Sequence, residues 1–325
     1  MKNLYDGRKK ARHAAPPVRI DTNQKQNIAS FSIMVKEKLY KFIFSILALS
    51  SLLFLVGITV VLFTEGLPIF YETGMGAFLF GKAWYPTYEP PEFGILPLLV
   101  ASFWVTLGAL LVCVPLGVGS ALFINELAGP KLRAILKPVI EVLAAIPSIV
   151  FGFFGMVIVA PLLQNLLGIP TGLCAFTGSL LLGIMALPTV CSIAEDALSF
   201  VPKSFREASL ALGANRWQTL VKVVIPAAGS GISTAIILGM SRAVGETMTV
   251  LMVTGGAAVI PRSFFEPVRP MTATIAAEMG EAVMGGAHYH SLFAIGLILF
   301  LFTFVFNVLA EMVSRRFRLK LGLSG

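Results

Sequence analysis

The stretch EASLALGANRWQTLVKVVIP, residues 207–226, is polar and amphipathic, yet it lies between apolar runs long enough to cross a bilayer. Leu210, Gly213, Ala214 and Trp217 fall at i, i+3, i+4 and i+7, which predicts one helical face of apolar and small residues. Arg206, Glu207 and Arg216 supply charges that would position such a helix. It either seats in the groove of a soluble partner or lies flat on the membrane surface, and the residues alone leave both open. The chain then enters Ala227–Thr254, an apolar helix candidate interrupted only by Arg242 and Glu246. Their i, i+4 spacing predicts one shared helix face.

Composition sets the surroundings of this stretch. Hydrophobic residues fill 56% of the 325 positions and charged ones 13%, whereas a soluble domain has roughly half and a quarter. Mean hydropathy is +0.85. The chain is therefore expected to be an integral membrane protein, because a single soluble core would not leave charge-free runs of bilayer length. Cys113, Cys174 and Cys191 lie in or beside apolar runs without metal-ligand spacing and read as small buried hydrophobes.

Six apolar crossings are expected, at about 42–63, 95–124, 139–163, 173–194, 227–254 and 291–313. Pro97 and Pro115 are kink candidates in the second; Pro147, Pro161 and Pro188 punctuate the third and fourth, so neighbouring helices must satisfy the freed backbone groups. Residues 1–27 are basic, polar and Pro-containing and are expected to be disordered. Residues 28–41 predict an interfacial elbow helix, 42–314 the six-helix membrane domain with a polar loop over about 203–226, and 315–325 a basic tail. All Lys and Arg other than Lys82, Arg242, Arg262 and Arg269 fall in the two tails, the elbow, and the loops after the second and fourth crossings. This predicts that both termini are cytoplasmic in a multi-pass inner-membrane protein. The net charge of +8 is then a topology signal, and no nucleic-acid partner is expected. The 271–287 stretch on the other side predicts a short helix that partly re-enters the membrane, with Glu278 and Glu281 facing water or protein.

Few motifs suggest chemistry. Gly76–Lys82 fits G-x-x-x-x-G-K, but Ala83 stands where Ser or Thr must hold Mg²⁺, and the middle of the motif is apolar. No cofactor is expected on this chain, and an energised transporter of this kind would need a separate ATPase carrying ATP and Mg²⁺. His288 and His290 have no third partner for a metal site, and no catalytic constellation is present, so the chain is expected not to be an enzyme.

Arg242 is the informative residue. An uncompensated charge at mid-membrane costs about 3 kcal/mol even on a lenient scale. One reading is a structural ion pair with Glu246 or with an acid on another helix. The other is that Arg242 faces a water-filled path and attracts an anion, Glu246 tunes its orientation, and Thr247 and Thr249 add hydroxyl donors. A guanidinium fork suits tetrahedral oxyanions. Arg262 and Arg269 either receive the anion or dock a partner, or are surface charges.

The pattern Glu207-Ala208-Ser209, Gly213, then Val223-Val224-Ile225-Pro226 resembles the loop signature of ABC-transporter permeases: Glu-Ala-Ala, Gly six residues after the Glu, then nine residues before Ile-x-Leu-Pro. Ser209, Val223 and Ile225 depart from it conservatively. Ser241–Thr247 and Met271–Glu281 are similar to the fifth helix and last external loop of the phosphate-specific members, and the long basic N-tail favours the PstC-type subunit over its PstA-type sister. The resemblance implies an all-α, six-helix type I importer permease. It implies that Glu207, Ala208, Gly213, Trp217 and Pro226 form the coupling segment for the ATPase, and that Arg242, Glu246, Thr247 and Thr249 line the substrate pathway. Implied partners are a PstA-type subunit, two copies of a cytoplasmic ABC ATPase, and a periplasmic phosphate-binding protein that delivers phosphate. A sensor kinase system is a further expected contact. Phosphonate, sulfate or molybdate as cargo, or a mainly signalling subunit, remain alternatives at this point.

Overall fold

The computed structural model describes the backbone of residues 22–320 and the side chains of residues 37–312. The tail over 1–21 and the residues after 320 lie outside the described residues. The chain divides into two units, ending and beginning at Thr59 and Val60. The first, as described, is the opening part of α1 (Thr22–Gly66). Residues 22–27, read from sequence as tail, lie within this helix, and 28–41 continues into the apolar run without a break. Thr22–Val56 contains neither Gly nor Pro, and its Gln, Lys, Glu and Leu extend a helix readily.

The second unit is almost wholly helical. After α1 come α2 (Pro68–Thr73) and α3 (Met75–Phe80), then a two-residue antiparallel ladder of β1 (Trp84–Tyr85) with β2 (Glu92–Phe93). The Gly76–Lys82 motif is therefore largely helix, with Phe78 fully buried. The chain continues through α4 (Leu96–Leu122), α5 (Pro130–Ala145), α6 (Ser148–Phe154), α7 (Ala160–Leu167) and α8 (Ala175–Ser199). The polar segment supplies α9 (Lys203–Ala211), α10 (Arg216–Thr219) and α11 (Ile225–Ala227). Last come α12 (Gly229–Val244), α13 (Met248–Val253), α14 (Met271–Glu278) and α15 (Ala287–Lys320). π-helical turns cover Phe123–Leu127, Gly155–Val159 and Leu220–Val224.

Among the described residues, five helical stretches are long and apolar enough to cross a membrane, and a sixth is added if Arg216–Ala227 and Gly229–Val244, bent by 68°, form one span. The all-α membrane fold read from composition is thus the observed one, with boundaries that differ. The third span is Ser148–Leu167 rather than 139–163. Ile146 and Pro147 are extended and separate it from α5, since a residue before proline disfavours the helical region. Pro97 is no kink: it lies in the first turn of α4, where its missing N–H costs nothing. Pro115 does lie inside α4. The expected 227–254 helix is interrupted at Ala228 and again at Gly245–Thr247.

Glycine sets the central packing of α4 against α8. A Cβ at Gly117 would lie 2.9 Å from Val190 Cβ and one at Gly183 2.7 Å from Val112 Cβ, while Gly108 faces Ser179. Gly239 brings α12 onto the same Val190. Three buried clusters follow one another along α4: around Ile95 and Leu98, then Ala101, Val105 and Ala109, then Cys113 and Ala121. The small residues let backbones approach closely, which in lipid replaces the hydrophobic drive of a soluble core.

Gly117→Leu should lower the stability of the detergent-solubilised protein by about 1–3 kcal/mol, as overpacking does. Gly119→Leu, two residues on, meets nothing within 4 Å and should be neutral or stabilising. Thermal unfolding of the two variants checks the contrast.

Candidate functional site

The polar segment is a helix–turn–helix, not one continuous helix. At the end of α9, Leu212, Gly213 and Ala214 donate their N–H groups to Ala208, Leu210 and Ser209 at 3.1, 3.0 and 3.2 Å. Gly213 takes φ +86°, the left-handed conformation that glycine adopts without Cβ strain. Asn215 then restarts the helix with a capping box: its side chain accepts from Gln218 N at 2.8 Å, and its own N–H donates to Gln218 Oε1 at 2.9 Å. The i, i+3, i+4, i+7 face expected for Leu210, Gly213, Ala214 and Trp217 is therefore divided by the turn. Leu212 and Trp217 instead project from it, 90% and 70% exposed. Glu207 and Ala208 are also exposed, and Pro226 lies in the first turn of α11. Ser209, a departure from the Glu-Ala-Ala pattern, gives its hydroxyl to the contact with Thr219 Oγ1 at 2.9 Å, which pins α9 to α10.

Two carboxylates that the sequence reading overlooked fix this end of the bundle. Glu126 receives Arg206 through Nε and Nη2, at 3.2 and 2.5 Å to Oε1. Glu195 on α8, with its side chain 3% exposed, receives Arg133, Lys137 Nζ at 2.9 Å and Asn125 Nδ2 at 3.4 Å. The available signal is an acid bordering an apolar run opposite a basic loop, which a topology reading of Lys131, Arg133 and Lys137 passes over. The hydrogen bond to Glu195 holds the Lys137 ammonium above its ordinary range; partial burial opposes this and Asp196 adds to it.

At the other key position, Arg242 is exposed in the last turn of α12 and makes no hydrogen bond or ion pair among the described residues. The expected face shared with Glu246 is not formed. Gly245 ends α12, and Glu246 Oε1 accepts instead from Thr249 N at 3.4 Å, at the start of α13. The Glu246 carbonyl takes the Thr272 hydroxyl at 2.8 Å. Thr247 is half-buried, with its hydroxyl 3.4 Å from Gly245 O. Thr249 is fully buried, donating to Ser148 O at 2.9 Å with Met185 Sδ at 3.1 Å, so its hydroxyl is engaged within the chain.

The opposite end is closed by Glu278. It accepts from Arg269 Nη1 at 2.6 Å and Trp84 Nε1 at 3.1 Å, and lies 3.0 Å from His288 Nε2. Arg269 also donates to Gly256 O at 2.7 Å, so this arginine is a structural clasp. Arg262 is exposed, with its backbone N–H bonded to Glu266. His290 reaches Glu65 O at 2.8 Å, so the two histidines have separate partners. The first half of α14 is buried in the bundle, while Glu281 is exposed.

Comparison with known proteins assigns the class. Residues 113–319 match the family model for the binding-protein-dependent transport system inner membrane component, and the chain belongs to that family. It is a multi-pass membrane permease subunit. Its similarity to individual members is substantial: 40% identity to the probable ABC transporter permease protein YqgH of Bacillus subtilis, over 80% of this chain and 85% of that one. The phosphate transport system permease protein PstC of Mesorhizobium japonicum is 36% identical over 76% of this chain and 80% of its own. Among solved structures, a bacterial alginate ABC transporter in complex with an alginate-bound periplasmic protein aligns with TM-score 0.59 at 15% identity, covering 92% of this chain and 98% of that one. The MetNI methionine ABC transporter aligns with TM-score 0.52 at 20% identity, over 69% and 94%. The fold is that of type I ABC importer permeases.

The Glu195 cluster yields an asymmetric expectation. Replacing both Arg133 and Lys137 with Met strands a buried carboxylate and should cost about 3–5 kcal/mol. Glu195→Gln frees two cations that are 41% and 40% exposed and can rehydrate, so it should cost only about 1–2 kcal/mol. Because the Lys137 pKa is raised in the folded state, its contribution is complete below the ordinary lysine value and is lost as pH rises through the folded one. Unfolding midpoints should therefore be insensitive to the Lys137 side of this tie through neutral pH, and that part should be lost on the alkaline side of the ordinary lysine range. Thermal unfolding of the variants across pH checks both points.

Proposed function

We infer that the chain is the permease subunit of an ATP-driven phosphate importer, forming half of the translocation pathway and coupling it to a separate ATPase. The observation that carries this reading is Arg242, which has no partner among the described residues. Its neighbour Ala243 packs in the cluster with Ala101, Val105 and Ala109, partway along α4, so the guanidinium lies at mid-bundle depth. An arginine there without a partner in its own chain is hydrated, matched by an anion or paired across the subunit interface, and a hydrated guanidinium facing the path is what this reading takes. The similarity to phosphate permeases supports phosphate as that anion.

Arg242, with Glu246 and Thr247 at the adjoining helix break, forms this chain's share of the path. Glu207, Ala208, Gly213, Trp217 and Pro226 belong to the coupling segment, whose exposed Leu212 and Trp217 suit a groove in a soluble partner. That partner is two copies of a cytoplasmic ABC ATPase, which carry ATP and Mg²⁺. A PstA-type subunit completes the pathway, and an extracytoplasmic phosphate-binding protein delivers the anion. The basic residues around α5, α9 and α10 support a cytoplasmic location for those segments, and the Lys and Arg of the two tails support the same for both termini.

In the mechanism, the loaded binding protein and ATP favour an outward-open bundle, and phosphate reaches Arg242. ATP hydrolysis then returns the bundle to an inward-open state. Coupling requires that docking segment and pathway belong to one bistable unit.

Arg242→Gln should reduce phosphate uptake by about 10- to 100-fold, the loss expected when charge-assisted hydrogen bonds are removed, while leaving assembly with the ATPase intact. Uptake of labelled phosphate into vesicles, with phosphonate, sulfate and molybdate as competitors, measures this. Undiminished uptake, or competition by another oxyanion but not by phosphate, refutes the assignment.

A further inference from the structure

Resting on that reading, we propose that Arg206 is the residue through which motion of the docking segment is passed to the α4–α8 pair. No side chain of α9 is buried, so the helix is not held to the bundle by an apolar face. Besides the Ser209–Thr219 contact that ties it to α10, its side-chain attachment to the ends of α4 and α8 is a single guanidinium. Arg206 Nη1 donates to Val201 O at 2.7 Å, and Nη2 donates both to Leu198 O at 3.2 Å and to Glu126 Oε1 at 2.5 Å. Nε faces the two Glu126 oxygens at 3.2 and 3.4 Å. All three guanidinium nitrogens are engaged, on three different residues.

Those residues lead to separate parts of the bundle. Leu198 is in the last turn of α8 and Val201 lies just beyond it, 0% and 6% exposed within the cluster that includes Val190 and Ala194. Glu126 belongs to the π-helical turn Phe123–Leu127 that closes α4. Arg206 and Glu126 are 21% and 18% exposed, so the pair is only lightly screened by water. The carbonyls at a helix C-terminus are themselves favourable for a cation. A planar, rigid fork that holds several acceptors transmits displacement better than a flexible ammonium would. A push on α9 therefore reaches the ends of α4 and α8 together, and those two helices carry the glycine-packed centre of the molecule.

Arg206 differs from the docking residues. Leu212 and Trp217 face outward and would bind the ATPase; Arg206 faces inward and would convert that binding into movement. This makes it a positioning residue, and binding and coupling should separate when it is changed.

The test uses the complete complex with sister subunit and ATPase, reconstituted in liposomes, with phosphate-loaded binding protein as the stimulus. Arg206→Met should retain the ATPase through purification, yet lose about tenfold of the stimulation of ATP hydrolysis, within the span of typical coupling energies. Phosphate uptake should fall with it. Arg206→Lys keeps the charge but cannot engage every acceptor, and should be intermediate. A merely structural role predicts lower yield and thermal stability with wild-type stimulation in the complexes that survive; that result overturns the proposal. Loss of the ATPase from both variants also overturns it, because the outward docking residues are untouched. If the wild-type complex itself neither holds the ATPase nor imports phosphate, it is the functional reading that fails.

Discussion

A charge among apolar helices persists only where a partner or water replaces the hydration it has lost. The molecule obeys this at both ends of its bundle. Glu195 is enclosed by Arg133, Lys137 and Asn125, Glu126 by Arg206, and Glu278 by Arg269, Trp84 and His288. Each carboxylate ties together segments that are distant in the chain. Arg242 differs from the unpaired cations of the loops and short polar helices in its place: it has no protein partner among the described residues, yet it lies on a helix that packs against α4, α8 and α15. Glu246, the other charge of this span, receives only the Thr249 N–H at 3.4 Å, so the break in the span holds two lightly matched charges.

The glycine contacts explain why matched charges at the ends suffice. With Gly117 and Gly239 both closing on Val190, α4, α8 and α12 share one tightly packed point. Lipid offers no hydrophobic penalty for separating helices, so close contact and polar ties must hold the bundle. The glycines supply the contact along its length. Glu195 and Glu126 supply ties for α5 and α9, neither of which fully buries a side chain, although Leu136 and Ile140 of α5 also pack against the core.

Long-range order was legible in the sequence because it rests on properties that sum over many residues. The approximate positions of five of the six apolar runs follow from hydropathy, and the helical character follows with them. The remaining run, expected over 227–254, corresponds to a bent pair that begins at Arg216, within the polar segment. Local breaks were harder to read. Gly245 sits in an apolar run that hydropathy reads straight through, so Arg242 and Glu246 seemed to share a face that the break removes. Thr249 showed the same blindness: a hydroxyl in an apolar helix is equally compatible with a pathway and with the buried bond it makes to Ser148 O. Gly213 was more readable, since glycine beside a polar helix end has a turn as its ordinary use, and φ +86° is that turn.

The double interruption of the fifth span then acquires a physical sense. Below the break, Ser241 donates its hydroxyl to Asn307 on α15 at 2.8 Å. Above it, Thr249 is tied to Ser148 and the Glu246 carbonyl to Thr272. The backbone on both sides of Arg242 is thus held by neighbouring helices, while the guanidinium itself is left unbonded. A structural ion pair would show the reverse, a side chain consumed by its partner. Fixing the backbone lowers the entropy lost when a ligand binds, and leaving the donors free avoids having to break a protein bond first. Under the proposed function, that combination suits a site that a transient anion must both enter and leave.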